Sequence, residues 1–220
     1  SRGKLDESAL KKLIELQVKA GVDGIVPVGT TGESPTVDYD EHVRIVELAV
    51  RYAKGRCKII AGSGANSTEE AIYLTKSAEY AGADGSLQVC PYYNKPSQAG
   101  LYAHFSEIAN STNLPIVLYS IPSRCNVELE VSTVVRLAGD CPNIVSIKEA
   151  GGDADRVSQL RDVLPRKFTI LSGDDSLTLP FMAVGAQGVV SVAANLIPRQ
   201  LTKMVHAHLK GDLKGSLKLH

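Results

Sequence analysis

Apolar stretches of strand length recur seven times along this 220-residue chain: Gly24 to Val28, Lys58 to Gly62, Gly85 to Val89, Pro115 to Ile121, Asn143 to Lys148, Phe168 to Ser172 and Gly188 to Val192. Between them the apolar residues take helical spacing, as in Leu10, Leu13, Ile14 and Val18, then Val43, Val46, Ala49 and Val50, then Ala71, Leu74, Ala78 and Ala81. Strands apolar on both faces must be covered on both sides, which a parallel sheet with crossover helices achieves. A phrase of the type Ala-Gly-Ala-Asp-Gly joins helix to strand at Ala20 to Gly24 and Ala81 to Gly85, and Val184 to Gly188 serves the same purpose; each ends a helix on a glycine. Ser67-Thr68-Glu69-Glu70 reads as a capping box at a helix start, with Ser67 capping and Glu70 answering it.

The unbroken alternation of seven such units favours a (β/α)8 barrel over an open doubly wound sheet, which usually needs only five strands. The chain begins with a helical pattern, Leu5 to Lys19, and Leu217 to His220 stops partway through another. The expectation is one barrel domain over residues 1–220, short of its first strand and C-terminal helices.

Lys and Arg together number 24, as do Asp and Glu, and no basic stripe with interleaved aromatics occurs, so the footprint of a nucleic-acid binder is missing. Cys57, Cys90, Cys125 and Cys141 are widely spaced and suggest neither a zinc site nor a disulfide framework. Reduced thiols and the lack of a signal peptide or membrane-length apolar run point to a cytoplasmic protein acting on a small molecule, without a membrane partner.

In a parallel barrel the chemistry lies at the C-terminal ends of the strands. There stand the turn Gly29-Thr30-Thr31-Gly32-Glu33-Ser34, whose hydroxyls and N–H groups suit a carboxylate or phosphate, then Cys90-Pro91-Tyr92-Tyr93-Asn94, Tyr119-Ser120-Ile121-Pro122-Ser123-Arg124, Lys148 with Glu149, and Ser172-Gly173-Asp174-Asp175. A lysine in a strand buried on both faces needs a reason to be there. It either pairs with a carboxylate such as Glu149, or is desolvated, loses its charge part of the time and attacks a carbonyl to form a Schiff base. Arg124 is open to the same two readings, a salt bridge with Glu128 or a ligand contact.

Gly29-Thr30-Thr31-Gly32-Glu33, Pro91-Tyr92-Tyr93-Asn94, Tyr119 through Arg124 and Ile147-Lys148-Glu149 together resemble the pyruvate-dependent class I aldolases of the dihydrodipicolinate synthase and N-acetylneuraminate lyase superfamily, over essentially the whole chain from Leu5 to His220. The resemblance implies a covalent imine between Lys148 and pyruvate with no cofactor. It makes Tyr119 the proton carrier, and Thr30 its link in a relay to Tyr93, which reaches across a subunit interface in a homodimer or homotetramer. Thr31 and its turn would hold the pyruvate carboxylate, with Gly173 and Val190 lining the imine pocket. In the same resemblance Arg124 takes the carboxylate of the second substrate, L-aspartate 4-semialdehyde, by paired hydrogen bonds. The implied product is 4-hydroxy-tetrahydrodipicolinate, on the route to lysine. Ser34, His42, Asn66, Glu70 and Tyr92 match an effector site for lysine at a dimer interface, although Tyr39 departs from the histidine common there.

Two other readings compete. A 2-keto-3-deoxy sugar acid aldolase or neuraminate lyase would use the same imine, but generally lacks an arginine at position 124. A barrel fragment carrying the motifs without activity is the other. Metal-dependent aldol chemistry ranks below both, since His42, His104, His206, His208 and His220 lack ligand spacing at strand ends.

Overall fold

The computed structural model describes residues 3–220. Seven strands form one parallel sheet in sequence order: β1 Gly24–Ile25, β2 Lys58–Gly62, β3 Gly85–Val89, β4 Ile116–Ser120, β5 Ile144–Glu149, β6 Thr169–Ser172 and β7 Gly188–Val189. Helices α1 Glu7–Ala20, α2 Tyr39–Ala53, α3 Thr68–Tyr80, α4 Gln98–Asn110, α5 Pro122–Cys125, α6 Val131–Asp140, α7 Ala154–Val163, α8 Thr178–Ala183, α9 Pro198–Leu209 and α10 Leu213–Leu219 accompany them. This is the expected barrel order, strand to the next strand without a reversal.

The local signals act where the sequence places them. Gly21, Gly82 and Gly185 leave α1, α3 and α8 with φ of 79°, 85° and 110°, the left-handed conformation that favours glycine. Asp84, from the same repeated phrase, accepts the Ile59 N–H at 2.9 Å and pairs with Lys58 at 2.7 Å, joining the entry of β3 to β2. The capping box at α3 is half formed. Ser67 Oγ accepts the Glu70 N–H at 3.4 Å, but the Glu70 carboxylate lies beside the Tyr39 hydroxyl, whose pKa it raises.

The edge strands are shorter than their apolar runs. β1 stops at Ile25 instead of Val28, because Pro27 has no N–H to give and Val28 turns to φ 52°. The Pro27 carbonyl still accepts from Gly62 at 3.0 Å, so the segment stays alongside β2. Among the described residues β1 and β7 do not pair with each other, yet the elements outside them meet: Gln17 of α1 donates to the Ala194 carbonyl at 2.7 Å, and His206 of α9 lies 3.1 Å from Asp23. The sheet is therefore curled until its two edges approach. Its main apolar core joins β3 to β6 with α4, α6, α7 and α8 around Phe105, Leu118, Ile147, Leu160 and Phe181; a second cluster packs α1 and α2 on β1 and β2 around Ile14, Val46, Ala49 and Ile59. No helix of the described residues is long and apolar enough to cross a membrane.

Candidate active site

Sheet register brings the central pair together. Tyr119 of β4 and Lys148 of β5 are opposed Cα partners, so their side chains emerge on the same face of neighbouring strands. The Lys148 ammonium sits 3.8 Å from the centroid of the Tyr119 ring, and both residues are buried, at 8% and 4% exposure. Burial lowers the Lys148 pKa to about 8; the Arg124 charge adds to the shift and the Asp175 carboxylate opposes it. At pH 7.5 a pKa of about 8 leaves about a quarter of the amines uncharged, against about one in a thousand for an ordinary lysine. The nitrogen is thus available as a nucleophile at neutral pH.

The ion pair between Lys148 and Glu149 does not form. Successive residues of a strand point to opposite faces, and Glu149, wholly buried, turns outward to Arg156 of α7, with Nε 2.8 Å from Oε2. Nor does Arg124 pair with Glu128, whose carboxylate instead approaches Arg156 at 3.6 Å; among the described residues Arg124 takes part in no salt bridge. It is exposed on the short helix α5, close enough for its charge to act on both Lys148 and Tyr119.

Burial pushes the Tyr119 phenol above its ordinary pKa, while the Thr30 side chain and the Arg124 charge pull it down. Tyr119 is therefore a phenol at neutral pH and carries a proton to give. Thr30 begins a 3-10 turn, Thr30–Gly32, and shares with Tyr119, Ser34, Gly62 and Leu87 a cavity of about 20 Å³. That volume suffices for one water molecule. Thr31 is exposed on the same turn. The Gly32 and Glu33 N–H groups are used inside the turn, on the Gly29 and Thr30 carbonyls, so those two are not on offer to a ligand.

Gly173 follows β6 and lies against the amine: a Cβ there would meet Lys148 Cε at 3.0 Å and the Ala150 side chain at 2.6 Å. Val190, half-buried, extends β7 by giving its N–H to the Ser172 carbonyl at 2.8 Å. Lys148, Tyr119, Thr30, Arg124 and Gly173 thus converge on one rim. Tyr93 stands apart, 90% exposed with φ 74° on the loop after β3.

The second expected group is partly assembled. Asn66 Nδ2 donates to the Tyr92 carbonyl at 3.2 Å, and Glu70 raises the Tyr92 pKa, adding to the effect of burial. Ser34 is half-buried on the turn after Glu33. His42 is buried within α2 and its Nε2 has no hydrogen-bond partner among the described residues.

Two contributors escaped sequence reasoning. Asp175 lies in a strand-end segment the sequence marks as polar; its Oδ2 accepts the Val192 and Ala193 N–H groups at 3.1 and 2.9 Å while its charge reaches Lys148. Arg156 had no such signal, because an arginine inside a helix normally faces water. Among the described residues no group of His, Cys, Asp and Glu is arranged to hold a metal ion.

Comparison with known proteins agrees with this geometry. A 4-hydroxy-tetrahydrodipicolinate synthase of Sulfurihydrogenibium sp. is 55% identical over 218 residues, 99% of this chain and 74% of that protein. The structure of the 4-hydroxy-tetrahydrodipicolinate synthase from the methanotroph Methylacidiphilum fumariolicum SolV superposes with a TM-score of 0.99 at 58% identity, covering 100% of this chain and 73% of that one. The chloride-inhibited dihydrodipicolinate synthase from Acinetobacter baumannii, solved as a complex with pyruvate, superposes with a TM-score of 0.96 at 44% identity, covering 100% and 75%. The sequence profile of the Dihydrodipicolinate synthetase family matches residues 1–220, and with these relatives it places the chain in that family.

Proposed function

We propose that this protein is a Schiff-base lyase that condenses pyruvate with L-aspartate 4-semialdehyde to give 4-hydroxy-tetrahydrodipicolinate for lysine biosynthesis, without an external cofactor. The observation that carries the proposal is the buried Lys148 amine, its pKa lowered to about 8, set 3.8 Å over the ring of Tyr119.

The uncharged Lys148 nitrogen attacks the ketone carbon of pyruvate, and the carbinolamine loses water to leave an iminium. Tyr119 supplies the proton that the departing hydroxyl needs and takes one back as the methyl carbon becomes an enamine nucleophile. The enamine attacks the aldehyde carbon of the second substrate, forming the new carbon–carbon bond as the C=O π pair moves to oxygen and Tyr119 gives that oxygen the proton it took from the methyl carbon. That substrate's amino group then displaces Lys148 from the imine carbon, closing the ring and freeing the amine. Thr30 connects Tyr119 toward solvent, with Tyr93 as the outer member of the relay in a homodimer or homotetramer. Thr31 holds the pyruvate carboxylate, Gly173 and Val190 line the imine pocket, and Arg124 receives the carboxylate of the semialdehyde.

Asn66, Glu70, Tyr92, Ser34 and His42 form a lysine effector site, in which Glu70 meets the ammonium. Calorimetric titration with lysine is expected to give binding that Glu70→Gln weakens; equal affinity in both proteins would remove the assignment. The reaction itself is tested by borohydride reduction with pyruvate and intact-mass analysis. A pyruvate-derived mass increase on Lys148, and turnover with aspartate semialdehyde but not with a sugar acid, is expected; a folded protein without the adduct would refute the mechanism.

A further inference from the structure

Arg124 is carried by a segment with little regular structure to hold it. α5 is four residues long, Asn126 after it turns to φ 55°, and α6 does not begin until Val131. A guanidinium that binds one substrate must nevertheless keep a fixed separation from the amine that binds the other. The anchor lies on the outer face of the sheet, behind the site. Arg156 of α7, 6% exposed, donates through Nε to Glu149 at 2.8 Å and through Nη2 to the Leu129 carbonyl. The second Glu149 oxygen accepts the Gly151 N–H at 2.7 Å, and the Leu129 N–H is directed at Ser120 Oγ at 3.4 Å. Glu149 and Ser120 are the residues that directly follow Lys148 and Tyr119, and they are register partners of each other. One buried guanidinium therefore spans the back of the catalytic strands and the segment that carries Arg124. From the other side Gln98 of α4 holds the same segment, donating to the Glu128 carbonyl at 2.7 Å and accepting the Glu130 N–H at 3.1 Å.

We propose that Arg156 is a positioning residue for the second substrate: by joining the Glu149 carboxylate to the Leu129 carbonyl it fixes Arg124 at the distance from Lys148 that the aldehyde must bridge. The inference rests on the proposed role of Arg124. A buried ion pair that served stability alone would, when weakened, lower the melting temperature and disturb both substrates alike. Positioning instead acts on one substrate, because Lys148 lies within a strand hydrogen-bonded on both sides while the Arg124 segment is held by a few contacts.

The test uses the protein's complete chain with Arg124→Ala, Arg156→Lys and the double variant Arg156→Met/Glu149→Gln. Lysine keeps the charge opposite Glu149 but lacks the planar fork that reaches two acceptors at once. Arg156→Lys is expected to raise KM for aspartate semialdehyde about tenfold, with KM for pyruvate, the borohydride-trapping rate at Lys148 and the position of the pH–rate limb near 8 unchanged. Equal changes in both KM values, or no change in either, would overturn the inference. Should Arg156→Lys fail to fold, the double variant, which leaves no buried charge unpaired, reads the same split with the same two outcomes. Arg124→Ala separates the levels: if it leaves the semialdehyde KM unchanged, the role of Arg124 falls and this inference with it. If it raises that KM and Arg156→Lys does not, only Arg156 is misassigned.

Discussion

Lys148 and Glu149 are neighbours in one strand, both ionisable and both buried, yet their surroundings are opposite. Glu149 faces outward onto a partner for each carboxylate oxygen, the Gly151 N–H and the Arg156 guanidinium, so although burial pushes its carboxyl pKa up, Arg156 and Gly151 pull against that shift. Lys148 faces inward onto an aromatic ring, where the Asp175 carboxylate favours its charge and Arg124 opposes it. The strand pleat thus separates a charge kept for cohesion from a charge kept uncomfortable for chemistry. An amine satisfied like Glu149 would stay protonated and inert; a carboxylate left like Lys148 would destabilise the barrel without benefit to the reaction.

Substitutions at the two positions should therefore diverge. Lys148→Met is expected to abolish borohydride-trapped adduct and lower kcat at least about a thousandfold, as removing a covalent nucleophile does. Retained adduct, seen by intact mass, would move the nucleophile elsewhere. Glu149→Leu, which strands the Arg156 charge, is expected to cost about 3–5 kcal/mol in denaturant unfolding, where a small loss would show the pair to be dispensable. The opposite sign is expected for Lys148→Met. Since the folded pKa of about 8 lies below the ordinary 10.5, burying the charged amine costs about 3 kcal/mol below pH 8. That cost fades as pH rises from 8 through 10.5. The variant should unfold at higher denaturant than the parent at pH 7 and lose that advantage by about pH 10.5. In the same terms, kcat/KM for pyruvate should climb about tenfold per pH unit below 8 and then level off, as the fraction of free amine does. Glu149 is not among the groups that shift Lys148, so Glu149→Gln should leave the limb in place. The smallest effect concerns fit. Gly173→Ala places a methyl 3.0 Å from Lys148 Cε and 2.6 Å from the Ala150 side chain, and should lower the trapping rate about tenfold together with a drop in melting temperature, because Ala150 must shift to admit it.

Much of this contrast is written locally. The seven apolar runs, the glycines that end helices and the polar strand ends need only near-neighbour chemistry, and they lead to the parallel barrel order and to Lys148, Tyr119, Thr30, Arg124 and Gly173 on one rim. Local signals overreach where a strand lacks a neighbour on one side: β1 and β7 pair over two residues each, although their apolar runs are five long. The capping box at Ser67 is likewise only half realised, because Tyr39 from another helix competes for Glu70.

The sequence by itself settles which residues are apolar, where the chain must turn and which side chains stand at strand ends, since each of those depends on a few adjacent residues. Whether Lys148 pairs with Glu149, which acid meets Arg156, and what pulls the amine's pKa down to about 8 are decided only in the folded protein. Those outcomes depend on desolvation and on partners brought from distant parts of the chain, as Leu129 and Arg156 are, and no window of sequence contains them.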